Sequence, residues 1–343
     1  MKLVLVVNGI RGLRATYTST LLAFAAMRRG HAVGLTSVDE LSYDHAVTGR
    51  VHWVGEAADP AAMLKKLRDP AALVEDLPLG SVDVVLLRNN PLIAEARGVR
   101  FNPALELGRR LKEQGVLVLN DPDGLRRAGS KMYLGAFPAS VRPKTLITCS
   151  LDRVRSFLRE MRGSAIIKPL QGYGGQNVFL LERKDRDNWD SIVSTVRTGG
   201  YFILQDYVAA AGRGDKRVLL VGGVPLEANG KVAVYRRMHA PGELRNNMHM
   251  GGSRKGCTLT PAERDLCALV RPRLVADGLY FVGLDIAGDK ILEINVFSPG
   301  GIHNMNELYN VDLGDAVIAD LERRMKLRDG YHEPMPAQVF MRG

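Results

Sequence analysis

The chain has 343 residues, of which 46% are hydrophobic and 6% aromatic, and its formal net charge is +10. This length suits two or three domains with substantial cores, and no stretch reaches the roughly 20 consecutive apolar residues of a membrane span. Three unevenly spaced cysteines and seven histidines without an HExxH pattern predict neither a disulfide framework nor a structural zinc site, so we expect a cytoplasmic protein. The basic residues are scattered and few aromatic residues accompany them, which favours anionic small molecules over nucleic acid as partners.

The first part of the chain alternates between strand and helix patterns. Short apolar runs predict buried strands at 3–7, 82–88 and 116–120. Helices are predicted from Thr16 to Arg29 and from Pro103 to about Gln114, and each is followed by a glycine. Strands that alternate with helices predict a parallel sheet covered on both faces. A turn cluster at 121–124 ends this pattern, so residues 1–125 are predicted to form an N-terminal parallel α/β domain.

The next part contains a glycine-rich loop between two strand patterns. The sequence QGYGGQ separates apolar runs at 164–170 and 177–182, which predicts a hairpin whose tip can approach a ligand closely. Backbone N–H groups in such a loop can contact phosphate oxygens, although most loops of this kind only turn the chain. Lys168 lies on the strand that enters the loop and strengthens the phosphate interpretation. We assign residues 126–204 to a small second domain.

The C-terminal part is predicted to be richer in antiparallel strands, with an α+β character over residues 205–335. A hairpin is expected to turn at Gly222-Gly223, and a helix to start at Pro261. Between them lies an eighteen-residue segment, 239–256, that is rich in glycine and basic residues. A loop of this length inside a compact domain is usually functional or disordered, and both interpretations stay open from its composition.

The stretch ILEINVFSPGG, residues 291–301, raises the question of a metal site. Alternation along a strand places Glu293 and Asn295 on one face, and Leu292, Ile294 and Val296 on the opposite face in the core. Solvent exposure explains a polar face, but Mg²⁺ also prefers such oxygen ligands and shares them with phosphates. Asp285 lies on the preceding strand with apolar residues on both sides, and a buried carboxylate without a partner is costly.

Taken in order, several motifs carry a family resemblance: Lys131, IIKPLQGYGG, QDYV, GDKRVLLV, ELRNNMHMGG, FVGLDIAGD and LEINVFSP. This set resembles the ATP-grasp superfamily and is most similar, within it, to the bacterial glutathione synthetases. The resemblance implies an α/β protein with an ATP-grasp fold, preceded by the N-terminal α/β domain. It also implies a ligase that uses ATP as cosubstrate and Mg²⁺ or Mn²⁺ as cofactor, and that works as a homo-oligomer on small molecules, without nucleic acid or membrane partners.

The resemblance assigns roles to the residues at matching positions. The implied metal ligands are Asp285, Glu293 and Asn295. The implied ATP contacts are Lys131, Lys168, Gly172, Tyr173, Gly174, Gly175, Gln205, Asp206, Tyr207, Val208 and Asp215. The implied catalytic residues near the transferred phosphate are Arg217, Arg237, Arg245 and Asn247. The implied substrate contacts are Ser298, Gly300 and Gly301. Judged singly, Lys131 also fits a surface charge and Asp215 also fits a turn cap.

Some segments differ from the family pattern and keep the substrates open. His303 and Asn304 follow SPGGI, where the family commonly has an arginine, and RNN at 88–90 replaces a motif with an acidic residue before proline. The leading hypothesis is a ligase that joins γ-glutamylcysteine to glycine. A second is an ATP-grasp ligase for a different amino acid or peptide pair, and a third is a nucleotide-binding regulatory protein on the same fold.

Overall fold

The computed structural model describes residues 1–91, 102–160, 164–170, 177–182, 188–196, 200–238, 252–330 and 340–341. In these residues the chain forms three larger sheets, of seven, four and six strands, and one small two-stranded sheet. Across the same residues, no helix is both long enough and apolar enough to cross a membrane.

The first sheet is built from the N-terminal part of the chain. Its strands are β1 Lys2–Val7, β2 Ala32–Ser37, β3 Leu41–Asp44, β4 Ala46–Trp53, β5 Val74–Pro78, β6 Val84–Leu87 and β7 Leu117–Leu119. Its helices are α1 Thr18–Arg28, α2 Pro60–Leu67, α3 Pro103–Glu113 and α4 Pro122–Arg127. Strands β2, β1, β6 and β7 are parallel neighbours, which confirms the predicted parallel sheet.

The sheet also contains antiparallel strands that the sequence pattern did not indicate. Strand β4 is antiparallel to β2, β3 and β5. Only His45, with a positive φ of 58°, separates β3 from β4. Parallel neighbours need a crossover of a dozen or more residues, and a one-residue connection therefore allows only an antiparallel pair.

The second sheet contains the predicted hairpin. Its strands are β8 Thr145–Thr148, β9 Ala165–Pro169, β10 Phe179–Leu181 and β11 Phe202–Asp206, in the order β10-β9-β11-β8, and its helices are α5 Leu151–Glu160 and α6 Trp189–Val196. Strands β9 and β10 pair antiparallel with Phe179 opposite Ile167, as the hairpin requires. The buried residues of this sheet form a core of their own, drawn from residues 154–204.

The third sheet contains the C-terminal strands. They are β12 Asp215–Val221, β13 Val224–Pro225, β16 Val234–Met238, β17 Ser253–Gly256, β18 Phe281–Ala287 and β19 Lys290–Asn295, while β14 Glu227–Ala228 and β15 Lys231–Val232 form the small separate sheet. The helices are α7 Pro261–Ala276, α8 Ile302–Tyr309 and α9 Leu313–Asp329. The strand order is β17-β16-β12-β18-β19, and every neighbouring pair is antiparallel.

The first and third sheets share their hydrophobic cores. Two large clusters of buried residues each contain side chains from both sheets, and α1 packs against α9. Arg29, just after α1, makes ion pairs of 2.6 Å with Glu322 and 3.0 Å with Asp315 on α9. The two sheets therefore support each other, whereas the second sheet has a separate core.

Asn120 joins the first sheet to the third through three buried hydrogen bonds. Its Nδ2 donates to the carbonyl oxygens of Phe281 (3.0 Å) and Val296 (2.7 Å), and its Oδ1 accepts from the Phe281 N–H (2.7 Å). These partners stand at the start of β18 and just beyond the end of β19. One amide side chain at the end of β7 thus fixes both strands that carry Asp285, Glu293 and Asn295.

We expect Asn120→Ala to lower the free energy of unfolding by roughly 3 kcal/mol, because it leaves buried backbone groups of Phe281 and Val296 without partners. Urea unfolding of the two proteins measures the difference. Asn8→Ala is the matched control: Asn8 makes two hydrogen bonds with the backbone of Asn90 at 2.7 and 2.8 Å, but at a half-buried position that water can reach. We expect it to cost about 1 kcal/mol. Equal losses in both variants would contradict a special role for Asn120.

Candidate active site

A cleft of about 1810 Å³ opens where the three larger sheets meet. Side chains from all three sheets line it, including Lys168 and Gln205 from the second sheet and Arg217, Asp285 and Glu293 from the third. The first sheet contributes the loop after β1, the start of α1 and Arg88. The structure therefore brings residues from distant parts of the sequence to one cavity.

Asp285 is the buried anion at the centre of this cleft. It lies directly opposite Arg217 on β12 and opposite Glu293 on β19. Arg217 donates to both carboxylate oxygens of Asp285, from Nε at 2.5 Å and Nη2 at 2.9 Å, and Arg237 Nη2 lies 2.9 Å from Oδ2. Asp285 is only 3% exposed. Burial alone raises the pKa of such a carboxyl, but the charges of Arg217 and Arg237 outweigh it and lower the pKa of Asp285 to about 2.

A second carboxylate, Asp215, shares Arg237 with Asp285. The Arg237 guanidinium binds Asp215 through two hydrogen bonds, one of them from Nε to Oδ1 at 2.8 Å. Burial raises the pKa of Asp215, and the hydrogen bond and charge of Arg237 oppose that rise. Both oxygens of Asp215 are therefore bonded to Arg237, which gives this residue a structural role besides the ATP contact that the resemblance implies.

The strand β19 departs from simple alternation at one residue. The pairing with β18 shifts between Asp285 and Ile286, so that Ile291 faces Ile286 and Glu293 faces Asp285. Leu292 is the extra residue of this β-bulge; it lines the cleft instead of the core, while Ile291 is fully buried. The prediction that Leu292 anchors the core with Ile294 and Val296 is therefore wrong. Bulges commonly re-aim side chains beside active sites, and this one keeps Glu293 level with Asp285.

Two lysines face the acidic strands from the other side of the cleft. Lys168 Nζ donates to Gln205 Oε1 at 3.1 Å, and Lys131 Nζ donates to the carbonyl oxygen of Pro169 at 3.3 Å. Burial lowers the pKa of each lysine, and the negative charge of Glu293 opposes that shift for both. Glu293 is thus close enough to act electrostatically on both cations. A pair of half-buried cations near a carboxylate can bind and neutralise a polyphosphate.

The resemblance implies that ATP contacts the segment around the end of β11, including Tyr207 and Val208. The N–H of Tyr207 already donates to the Ser164 carbonyl at 3.0 Å, and the Val208 carbonyl accepts from Ala211 at 2.8 Å. Asp206 is exposed. Gln205 is buried, and its side chain accepts a hydrogen bond from Lys168 and donates one to Thr145 Oγ1 at 3.3 Å. The N–H of Tyr207 is therefore already used in a hydrogen bond within the protein.

The loop 298–301 lies between two arginines. Arg88 Nη2 donates to the Pro299 carbonyl at 3.0 Å, and Arg217 Nη1 donates to the next carbonyl, Gly300, at 3.5 Å. Ser298 is exposed, and Gly301 has a φ of 131°, which a residue with a side chain rarely adopts. The contact between Arg88 and Pro299 could not be predicted from a local pattern, because the two residues are 211 positions apart.

The remaining predicted site residues lie outside the part of the chain that the structure describes. They are Gly172, Tyr173, Gly174, Gly175, Arg245 and Asn247. Their roles stay predictions.

Comparison with known proteins agrees with this architecture. Residues 130–310 match the prokaryotic glutathione synthetase ATP-grasp domain, and residues 1–126 match the prokaryotic glutathione synthetase N-terminal domain. The chain belongs to the prokaryotic glutathione synthetase family.

Curated relatives support the same assignment along nearly the whole chain. The chain is 35% identical to the glutathione synthetase of Synechococcus elongatus over 342 residues, covering 94% of this chain and 98% of the relative. It is 34% identical to the glutathione synthetase of Synechocystis, covering 94% of this chain and 100% of the relative. As a family member, the protein is an ATP-dependent ligase with an ATP-grasp domain.

Solved structures share the fold. D-cycloserine synthetase DcsG superposes with a TM-score of 0.62 at 16% identity, covering 93% of this chain and 99% of that chain. The ATP-grasp ligase PsnB superposes with a TM-score of 0.58 at 20% identity, covering 92% of this chain and 98% of that chain. At these identities the likeness extends to the fold alone.

The donors of this glutathione synthetase family member fit magnesium chemically. Glu293 faces Asp285 in register, and Asn295 Nδ2 lies 3.3 Å from Asp285 Oδ2. No group of three or more His, Cys, Asp or Glu suited to a metal occurs in the described ranges, so a metal would rely on two carboxylates and an amide. Mg²⁺ commonly binds few protein oxygens and completes its shell with phosphate and water. Since arginines engage both oxygens of Asp285, Glu293 is the less committed carboxylate.

We expect Asp285→Asn to lower the free energy of unfolding by roughly 3 kcal/mol at neutral pH, because it removes the buried counter-charge of Arg217 and leaves Arg237 with Asp215 alone. The pKa of Asp285 is about 2 in the folded protein and about 3.9 when unfolded, so its stabilisation is present above pH 4 and is lost as the pH falls towards 2. The difference between the two proteins should therefore shrink on acidification.

Urea unfolding of both proteins between pH 7 and pH 3 measures this difference. Asp289→Asn is the control, since Asp289 lies on the following turn, is largely exposed and pairs only with Lys290 among the described residues. We expect little change for it. A difference for Asp285→Asn that stays constant with pH would contradict the ion-pair explanation.

Proposed function

We propose that this family member forms glutathione from γ-glutamylcysteine, glycine and ATP. The observation that carries the proposal is the match to relatives named glutathione synthetase along 94% of the chain and 98–100% of their lengths. The cleft supports it, because a phosphate-binding side with Lys131 and Lys168 faces an acidic side with Glu293 and Asp285.

In the proposed reaction, a carboxylate oxygen of the donor attacks the γ-phosphorus of ATP, and ADP leaves. The resulting acyl phosphate is attacked at its carbonyl carbon by the neutral amine of the acceptor. Phosphate leaves with the bonding electrons, and the amine loses a proton as the amide forms. Formation of the acyl phosphate therefore activates the carboxyl carbon, because phosphate is a good leaving group and an oxide ion is a poor one.

The proposed residue roles follow from charge and position. Lys131 and Lys168 bind the transferring phosphates with the backbone of residues 172–175, and Gln205, Asp206, Tyr207, Val208 and Asp215 surround the nucleoside. Arg217 and Arg237, with Arg245 and Asn247, stabilise the negative charge of the acyl phosphate, since guanidinium groups stay charged and donate two parallel bonds. Asp285, Glu293 and Asn295 would hold Mg²⁺ or Mn²⁺, which supplies charge neutralisation at the phosphates.

A different donor or acceptor is the second candidate, and the loop 298–304 favours keeping it. His303 Nε2 lies 3.4 Å from Glu307, and Asn304 accepts a hydrogen bond from Arg254. His303 and Asn304 both line the cleft where the family commonly has an arginine. The cationic group nearest to Asn304 thus comes from β17 instead of from the loop itself, which alters how a substrate carboxylate is approached.

The cytoplasmic location and the homo-oligomeric state are part of the same proposal, as is the division of the chain near residues 125 and 204. The scattered positive charge suits anionic small substrates in the cleft.

We expect Glu293→Gln to reduce turnover by roughly 100-fold or more while the fold is retained, because it removes a negative oxygen ligand and keeps the side-chain shape. Glu293 makes no ion pair within 4 Å in the described residues, so its unfolding free energy should change by less than about 1 kcal/mol. Steady-state turnover and calorimetric Mg²⁺ binding in the presence of ADP measure the two effects. Glu307→Gln is the control. Wild-type turnover in Glu293→Gln would remove Glu293 from the metal site.

We expect ADP release with Mg-ATP only when both γ-glutamylcysteine and glycine are present, because the acyl phosphate turns over productively only when an amine attacks it. A coupled assay of ADP with mass analysis of the peptide product measures this. Controls omit each substrate in turn, and a panel replaces γ-glutamylcysteine or glycine with other peptides and amines. If another pair supports release and the cognate pair does not exceed the ATP-only rate, the second candidate replaces the first.

A further inference from the structure

One buried hydroxyl beside the cleft has no hydrogen-bond partner among the residues that the structure describes. Thr18 is the first residue of α1 and only 5% exposed, and its Oγ1 is buried with no partner in the described residues. Thr18 nevertheless lines the cleft. A buried polar atom without a partner is costly and rare, so such an atom beside a cavity indicates that a ligand supplies the partner.

The start of α1 points to the charge of that ligand. The first N–H groups of a helix have no partner within the helix, and they carry the positive end of its dipole. Tyr17 at the N-cap makes no side-chain hydrogen bond to them, and the first turn contains no acidic residue. The eleven-residue helix therefore presents uncompensated donors beside the Thr18 hydroxyl. This combination favours an anion.

Arg88 is a buried cation at the same place. It is 6% exposed, its Nε donates to Ser19 Oγ at 3.2 Å, and its guanidinium lies 5.2 Å from the ring centre of Phe281. In the described part of the chain, no carboxylate lies within ion-pair distance of it. Burial lowers the pKa of Arg88 to about 9. Arg217 and Arg237 are buried too, but each has an aspartate, so Arg88 differs from them in lacking a counter-charge.

Thr18, Ser19 and Arg88 lie beside the loop that Arg217 also contacts. Arg88 and Arg217 hold the successive carbonyls of Pro299 and Gly300, so one peptide unit separates the two arginines along the loop. Lys168 lies on β9 of the second sheet, and Lys131, on the segment 131–136, reaches the Pro169 carbonyl at the end of that strand. The group at α1 therefore lies next to the acyl-transfer site and on the side of the first sheet.

We propose that Thr18, Ser19 and Arg88, with the N-terminus of α1, form a subsite for a substrate carboxylate that does not react. This inference rests on the proposed function. One guanidinium, one helix end and one hydroxyl suit a singly charged group. The reaction supplies two such groups: the glutamyl α-carboxylate of the donor and the carboxylate of glycine.

Thr18→Val tests the subsite because it removes the hydroxyl and keeps the side-chain shape. Since no described residue bonds to this hydroxyl, the variant should unfold at the same or a higher urea concentration. The KM of one carboxylate substrate should rise about tenfold, as loss of a hydrogen bond to a charged group predicts, while the KM of ATP stays unchanged.

Thr20→Val is the matched control on the same helix. Thr20 is fully buried, and its Oγ1 donates to the Arg14 carbonyl at 2.8 Å. Because this hydroxyl has a partner within the chain, its removal should lower stability and leave every KM unchanged. The two threonines thus predict opposite patterns of stability and binding.

Substrate analogues identify the source of the carboxylate. The donor arm compares γ-glutamylcysteine with the analogue in which the glutamyl α-carboxylate is a carboxamide, and the acceptor arm compares glycine with glycinamide. In wild type, the analogue at the subsite should have a higher KM than the natural substrate, and Thr18→Val should reduce this preference about tenfold in that arm only. Coupling in the donor arm or in the acceptor arm supports the subsite and names its ligand.

Two results would overturn the subsite: unchanged preference in both arms, or a rise in the KM of ATP, which would assign Thr18 to the nucleotide phosphates. The proposed function fails separately. If wild type releases no ADP with γ-glutamylcysteine and glycine, calorimetric binding of these two compounds to wild type and Thr18→Val still tests the subsite. Binding that depends on Thr18 supports it, and equal or absent binding contradicts it.

Discussion

Burial of the Asp285 charge is the constraint on which the site depends. An isolated carboxylate at 3% exposure is prohibitively costly, so β18 can hold one only if cations from neighbouring strands reach it. Arg217 on β12 and Arg237 on β16 meet this need, and Arg237 brings Asp215 with it. The four side chains fix the mutual register of three strands. The two arginines and two aspartates balance in charge, and they place fixed, preorganised charged groups beside Glu293.

The second constraint is the joint between the first and third sheets. Their shared cores and the Asn120 hydrogen bonds hold β18 and β19 against β7, so the acidic strands have a fixed backing. Lys168 approaches from β9 of the second sheet, whereas Lys131 lies on the segment 131–136, whose buried Tyr133 and Leu134 pack in a core of the first and third sheets. The cleft therefore lies between a wall formed by the first and third sheets, which share their cores (the braced wall), and a wall formed by the second sheet, which has a core of its own. Arg88, part of the proposed carboxylate subsite, and its partner Pro299 belong to the braced wall.

Sequence reasoning located the local features of this site but not its long-range contacts. The family resemblance made Asp285 and Glu293 ligands of one metal, which requires the two carboxylates to lie close together, and they stand opposite each other on β18 and β19. The position of Leu292 could not be predicted, because a bulge depends on pairing with β18 and not on the residues of β19 alone. Asn120 and Arg88 gave no local signal either, since their partners are 161 to 211 positions away. A motif records the chemistry of a side chain, whereas its partners depend on how distant elements pack.

The separate core of the second sheet has a consequence for how the protein fluctuates. Its buried residues, from Val154 to Leu204, pack among themselves, so this sheet can open without exposing the apolar surface that the other two sheets share. Cooperative units of this kind exchange their amide hydrogens through openings of their own. Amides of β9 and β11 should then exchange together at one rate, and those of β1 and β18 together at a slower one. Ligands that join the two walls would bring these rates closer together.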